Sequence, residues 1–351
     1  QNVTVPASQF SRLNPQGCLL ASNIQPSLGQ TLVLYGEPVG TPEEDRKLAN
    51  ACVDAFFQGS DQKPQFMASG QLFGSPIFAY DNGKEKPTEQ CHLLVCLNRH
   101  PETLKLVEKT SLSFFNLLCC RSKILFAYHE ARWCYRETRG LYGQLEQEVT
   151  DFKELATQRD TRLEQLKQKL TEMPSKTFDY AVYLRDLEDH KTAIATNAEN
   201  YDYWLEKIRE SSLKDDNIEF LANFLNQRTK LFQRQIQTNL NYLKPGQQLF
   251  DQMLGSIRGI VETEQAQQEK RLERWIASVG IGLAVSGISS QTAAKPVESI
   301  ITQLYPKQSL DCPKAGVTPC LIYSVVFVLF HVGFGFITAL IFGRIMDRGG
   351  K

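Results

Sequence analysis

Apolar residues along this chain change their spacing in successive stretches, and each change predicts a different kind of element. The run Thr31-Leu-Val-Leu-Tyr-Gly36 is short, half apolar and closed by a turn residue, which predicts a strand. Thr41-Pro-Glu-Glu-Asp45 predicts a helix start, with threonine as the cap, proline at the first helical position and acids over the first turn. That helix is expected to run to about Phe57. Gly70–Gly83 reads as strand, turn and strand, and His92–Leu97 as a further strand. Residues 1–30 are rich in Asn, Gln, Ser, Pro and Gly and have no period, so they are expected to form an extended arm. Residues 31–98 then make a small α/β layer.

From about residue 99 the period becomes helical. Glu102–Gln147 predicts one long helix, apolar all round near Leu112–Leu118. Leu145, Val149, Phe152, Ala156, Arg159, Leu163, Leu166, Leu170 and Met173 alternate by four and three, the spacing of a coiled-coil or bundle seam. Pro174-Ser175 is expected to end that helix. A second helix, about Asp179 to Ser211, carries Tyr183, Leu187, Ile194, Tyr201, Leu205 and Ile208 on one face. Asp215-Asp216-Asn217 caps a third, which carries Ile218, Leu221, Leu225, Phe232, Ile236, Leu240 and Leu243 until Lys244-Pro245-Gly246 breaks or kinks it. Short connections predict antiparallel neighbours.

Beyond Pro245 the pattern changes again. Gln247–Val261 is amphipathic, residues 262–274 are polar without proline or glycine, and Trp275–Ser290 is largely apolar. As one helix this stretch would span roughly 60 Å or more, a stalk leading towards a membrane. Cys320–Phe342 is an apolar run with His331 as its one ionisable residue, long enough to cross the hydrocarbon core. Lys270, Arg271 and Arg274 precede the first apolar run, and Arg344, Arg348 and Lys351 follow the second. The positive-inside rule then predicts an integral membrane protein with two spans and both termini cytoplasmic. The expected fold class is mainly α. A small N-terminal α/β layer precedes a long-helix coiled-coil body (99–274), whose stalk helix continues into a C-terminal two-helix transmembrane hairpin. Its spans are 275–294 and 320–343, joined by an outer loop, 295–319, and followed by a basic tail, 344–351.

Composition narrows the chemistry. The chain balances 39 basic against 39 acidic side chains, so no basic excess points to nucleic acid. Its nine cysteines form no CxxC or other zinc spacing. Cys312 and Cys320 flank the far side of the hairpin and are candidates for a disulfide if that side is oxidising. The segment Arg121–Arg139 mixes basic and aromatic residues. Two readings of it stay open: a nucleotide-binding patch, or a helix with packed stems and solvated heads. The acidic clusters Asp186/Glu188/Asp189 and Asp215/Asp216 are candidates for sensing a divalent cation, with helix caps and solvated faces as the alternative. No cofactor is otherwise implied. No Ser/His/Asp, Cys/His or paired-carboxylate arrangement stands out, so no enzyme is predicted.

The order and lengths of these elements resemble the CorA-like divalent-cation transporters. The family signature, a Gly-Met-Asn tripeptide closing the first span, is absent; the nearest match is Gly287-Ile288-Ser289. The resemblance implies a pentamer whose first span lines a pore and whose cytoplasmic acidic sites sense the ion. Ser278, Gly282, Ser286 and Ser290 recur every four residues with Ser289 nearby, a candidate pore lining. Gly287, Gln291 and Thr292 are candidates for the pore mouth. Small residues at that spacing also pack helices in lipid. Two functions follow: a homo-oligomeric cation channel with a large cytoplasmic sensor domain, or a membrane-anchored structural or signalling protein whose coiled-coil body binds a partner.

Overall fold

The computed structural model describes residues 4–157, 162–292, 325, 328–329, 331–333, 335–341 and 344. It is mostly helical, with a small N-terminal sheet and long helices. The chain divides into two compact units. One takes the residues up to Arg162 together with Gln168–Leu254, and the other takes Leu163–Lys167 with the chain from Gly255.

In the first unit, strands β1 (Gln30–Gly36), β2 (Gln65–Leu72), β3 (Ser75–Asp81) and β4 (Cys91–Leu97) form a sheet in the order β1-β4-β3-β2. β1 runs parallel to β4, and the other pairs are antiparallel. Helix α2 (Asp45–Phe56) buries Ala49, Cys52, Val53 and Phe56, one helical stripe, against Phe78, Tyr80, Leu93 and Val95. β4 is buried on both faces, so its even-numbered residues, His92 and Leu94 among them, face away from α2. The β2–β3 turn places Phe73 at φ 55° and Gly74 at φ 78°, the two positive values of a type I′ hairpin.

The N-terminal segment is not an extended arm. It folds into two 3₁₀ turns, Ala7–Leu13 and Pro15–Gly17, and a single-turn helix, α1 (Ala21–Ile24). Buried Asn14 donates from Nδ2 to the Phe56 carbonyl at 3.0 Å and accepts the Leu19 N–H at 2.8 Å. The polar residues that suggested an arm instead satisfy backbone groups at the end of α2. The sheet shares its compact unit with the helices up to Leu254.

The body is built from α3 (Thr103–Thr157), α4 (Arg162–Arg209) and α6 (Lys230–Thr292), with α5 (Glu219–Asn223) and a π-helical turn, Phe224–Thr229, before α6. Side-chain pairs give their directions. Trp133 meets Tyr183 and Glu148 meets Lys169 and Lys176, so α3 and α4 are antiparallel. Tyr128 meets Phe232 and Tyr142 meets Tyr242, so α3 and α6 run the same way. Burial on α4 at Met173, Tyr180, Leu184, Leu187, Ile194 and Tyr201 keeps steps of seven, four and three, a bundle seam.

The stop expected at Pro174 does not occur, and Pro245, expected to break or kink its helix, does not end it. Pro174 lies inside α4 and Pro245 inside α6. An interior proline costs about 3 kcal/mol. Met173 and Tyr180 on α4, and Leu243 and Phe250 on α6, are each almost wholly buried across the prolines, and that burial outweighs the loss. The seam expected from Leu145 to Met173 along one helix is divided instead between the end of α3 and the start of α4. Residues 21 apart on a single helix would lie about 31 Å apart, whereas Lys169 contacts Glu148. Burial pushes the Glu148 carboxyl up, but hydrogen bonds from Lys169 and Lys176 more than offset it and hold it below the usual range.

Gly246 marks a close crossing rather than a stop. A Cβ there would meet the Tyr180 hydroxyl and come within 2.8 Å of the Tyr142 ring. Tyr180 donates to the Leu243 carbonyl at 2.6 Å, which fixes its position. Gly246→Ala is therefore expected to destabilise the unit by about 1–3 kcal/mol through overpacking, despite alanine's better helix propensity. A urea midpoint at or above that of the wild type would refute the close crossing.

Of the expected hairpin, α6 is helical as far as Thr292. The outer loop 295–319, with Cys312, and Cys320 lie outside the described residues, as does the tail after residue 344. Among the described residues, no helix is long and apolar enough to cross a membrane.

Candidate functional site

A cavity of about 270 Å³ opens within the first unit on the face of the sheet away from α2. Three elements place its charged groups. Strand pairing sets His92 of β4 between Thr31 of β1 and Asp81 of β3. On α3, Arg121, Leu125, Tyr128 and Arg132 follow the four-and-three spacing of one helix face and line the cavity together. The π turn before α6 supplies Arg228, and Phe232 follows four residues later. Turns of this kind recur at functional sites, since they shift the aim of side chains without ending the helix. Thr229 Oγ1 donates to the Phe224 carbonyl five residues back, at 3.1 Å.

Arg121 is the anchor. Its Nη2 donates to Asp81 Oδ2 at 2.7 Å, with the two side chains 8% and 17% exposed. Its guanidinium carbon lies 5.2 Å from the centre of the Phe224 ring. Asp81 also accepts the Gly83 N–H at 2.7 Å. Burial draws the Arg121 guanidinium below its ordinary value, and Asp81 pulls it back up. A second cavity, of about 210 Å³, shares His92, Arg121 and Arg228 with the first. Tyr128 stacks on Phe232 with ring centres 3.8 Å apart. The first cavity is thus lined by four cationic side chains, Lys84, Arg121, Arg132 and Arg228, against the two carboxylates Asp81 and Glu85.

His92 is 6% exposed, and its Nδ1 has no hydrogen-bond partner. Burial first, then Arg121 and Arg228, holds its imidazole well below 6.5, so it is neutral near pH 7. Gln30 lines the same cavity; its Nε2 donates to the Leu19 carbonyl at 2.7 Å while its buried Oε1 has no partner. Burial pushes the neighbouring Cys91 thiol up to about 12, so it is no nucleophile near neutral pH.

The acidic candidates are not gathered into a metal site. Asp216 is fully engaged: Oδ2 accepts the N–H groups of Phe73 and Leu213 at 2.7 and 2.8 Å, and Oδ1 accepts that of Gly74 at 2.7 Å. Asp186 pairs with the neighbouring Arg185, and Glu188 with Lys244. Asp215 and Asp189 are exposed. Among the described residues, no three His, Cys, Asp or Glu side chains cluster as a metal would require. Ser278 of the expected pore lining is 7% exposed and donates to the Arg274 carbonyl of its own helix at 2.8 Å. Gly282, Ser286, Gly287, Ser289, Ser290, Gln291 and Thr292 are helical in backbone, and their side chains lie outside the described residues.

The C-terminal segment carries the other notable surface. Residues 328–329, 331–333 and 335–341 are helical, with His331 and Gly335 buried one turn apart. Around them Val328, Leu329, Val332, Phe336, Leu340 and Ile341 are each more than half exposed. Here the one histidine is buried and these apolar side chains are exposed, the reverse of a helix on a water-facing surface.

No protein-family model, no curated protein and no solved structure matches this chain.

Proposed function

We propose that the chain is an integral membrane protein that holds a folded binding unit at the bilayer. The apolar side chains exposed between Val328 and Ile341 carry this reading. Such a surface needs a non-aqueous solvent, and the hydropathy of Cys320–Phe342 fits one span. The second span would be the end of α6, where Trp275 and Ile276 are also exposed. In this reading the helical bundle binds a partner and the hairpin anchors it, with both termini on the cytoplasmic side.

The CorA-like reading, a homo-oligomeric cation channel and a pentamer if the resemblance holds, takes support from the burial of Ser278. The bond from Ser278 to Arg274 satisfies its hydroxyl without a pore, so anchoring comes first.

Alkaline carbonate extraction of membranes tests the proposal. Wild-type protein is expected in the pellet, and Val332→Lys/Phe336→Lys in the supernatant, since each central lysine costs about 2.5–3.5 kcal/mol in a span. Release of the wild type by carbonate would sink it. In proteoliposomes, cation flux abolished by Ser286→Leu would move the channel ahead of the anchor.

A further inference from the structure

We propose that the cavity between β3, β4, α3 and the π turn is a receptor site for a small phosphate monoester. This inference concerns the first compact unit alone and stands whether or not the C-terminal segment lies in lipid. Several independent features converge on it.

Charge comes first. Four cationic side chains face two carboxylates, an excess of two that matches a phosphate monoester dianion. Asp81 is already spent on Arg121 and the Gly83 N–H, so it offers little to a cation. Arg132 and Arg228 are exposed and available at the opening.

Donor geometry comes next. Guanidinium groups present paired N–H donors that match phosphate oxygens, and with Arg121 held by Asp81 two of them, Arg132 and Arg228, are left at the cavity. A phosphate monoester meets them and Lys84 with three terminal oxygens and up to two negative charges, where a carboxylate offers two oxygens and one charge.

Burial supplies the third feature. His92 is more than nine-tenths buried and lines the cavity with its Nδ1 unpartnered. Buried polar atoms without partners are costly unless something meets them. A neutral imidazole offers one donor and one acceptor, which suits the hydroxyls of the esterified moiety rather than the phosphate. The charged groups would therefore hold the phosphate at the opening, and His92 the organic part further in. A volume near 270 Å³ admits a small sugar or glycerol phosphate.

Such a phosphate could belong to a soluble metabolite or to a lipid headgroup, and the experiment separates these. Full-length protein in detergent is titrated calorimetrically with glycerol 3-phosphate, dioctanoyl phosphatidic acid, inorganic phosphate, glycerol and succinate. Saturable binding of glycerol 3-phosphate is expected at one site per chain, with inorganic phosphate weaker and glycerol and succinate silent. Arg228→Gln and Lys84→Gln replace exposed side chains, so folding is retained. Arg228→Gln is expected to weaken binding about tenfold or more, as loss of a hydrogen bond between charged groups does. Glu85→Gln is expected to tighten it. Tighter binding of dioctanoyl phosphatidic acid, equally lost in Arg228→Gln, would keep the phosphate monoester and assign it to a lipid. The proposal is overturned if no phosphate binds, if succinate binds as well, or if Arg228→Gln and Lys84→Gln leave affinity unchanged.

Discussion

Asp216→Ala is expected to lower the stability of the folded unit by about 3 kcal/mol, more than its half-exposed position on a loop suggests. The carboxylate accepts three backbone N–H groups, from Phe73, Gly74 and Leu213. Hydrogen bonds to a charged acceptor contribute about 1.5–3 kcal/mol each, less where solvent reaches them and without full additivity. Two of the three donors belong to the β2–β3 turn, where Phe73 sits at φ 55° although it has a large side chain. That conformation persists only where surroundings over-determine it. Here Thr103 Oγ1 donates to the Phe73 carbonyl at 2.8 Å, and the carboxylate fixes the N–H side. Asn217 then pairs with Gln71 through two backbone hydrogen bonds, so one short loop ties the bundle to the edge of the sheet. Asp216→Asn keeps one acceptor oxygen and should lose about half as much. Urea midpoints of the three proteins at constant slope decide it. A loss under 0.5 kcal/mol for the alanine variant would mean the clamp is ornamental.

The same residue shows how far the sequence could be read. Asp215-Asp216-Asn217 looks like a helix cap or an ion site, because either needs only a local run of polar residues. Two of its three partners lie more than 140 residues away at a hairpin turn, and no local pattern encodes that pairing. Strands β1 and β4 and helix α2 were legible because their burial follows short periods. The bundle seams on α4 and α6 were legible for the same reason, with Leu187, Ile194, Tyr201, Ile236 and Leu243 all buried as their spacing requires. Pro174 misled: it carries a strong local stop signal, and tertiary burial across it wins, while Pro245, read as a break or a kink, lies inside α6.

The cavity was half legible. Arg121–Arg139 stood out for its basic and aromatic mixture, and Arg121, Tyr128 and Arg132 of that run line the cavity. Trp133 instead packs edge-on against Tyr183, and Arg139 lies over Tyr142 and Tyr242. His92 gave no signal of its own, sitting in an apolar strand. Its place beside Asp81 follows from the sheet order β1-β4-β3, and Arg228 reaches the site through a π turn that no apolar spacing marks.

Breaking the pair between Arg121 and Asp81 is expected to cost about 3–5 kcal/mol from either side. The reason is what remains behind. Arg121→Met leaves Asp81, 17% exposed, with the Gly83 N–H and no counter-charge. A carboxylate can escape part of that cost by taking up a proton, so this variant should lie at the lower end. Asp81→Asn leaves a guanidinium that is 8% exposed and cannot discard its proton, so it should lie at the upper end. The ring of Phe224 at 5.2 Å compensates only weakly. Arg121→Lys should recover little, since a lysine cannot both reach Asp81 and stack flat on that ring. The double variant Arg121→Met/Asp81→Asn removes both charges and should be more stable than the sum of its parts by about 2 kcal/mol or more. Equilibrium unfolding of all four proteins gives that coupling directly. Additivity within 0.5 kcal/mol would mean that the two groups do not act as a pair, and that Arg121 is held at the cavity by packing alone.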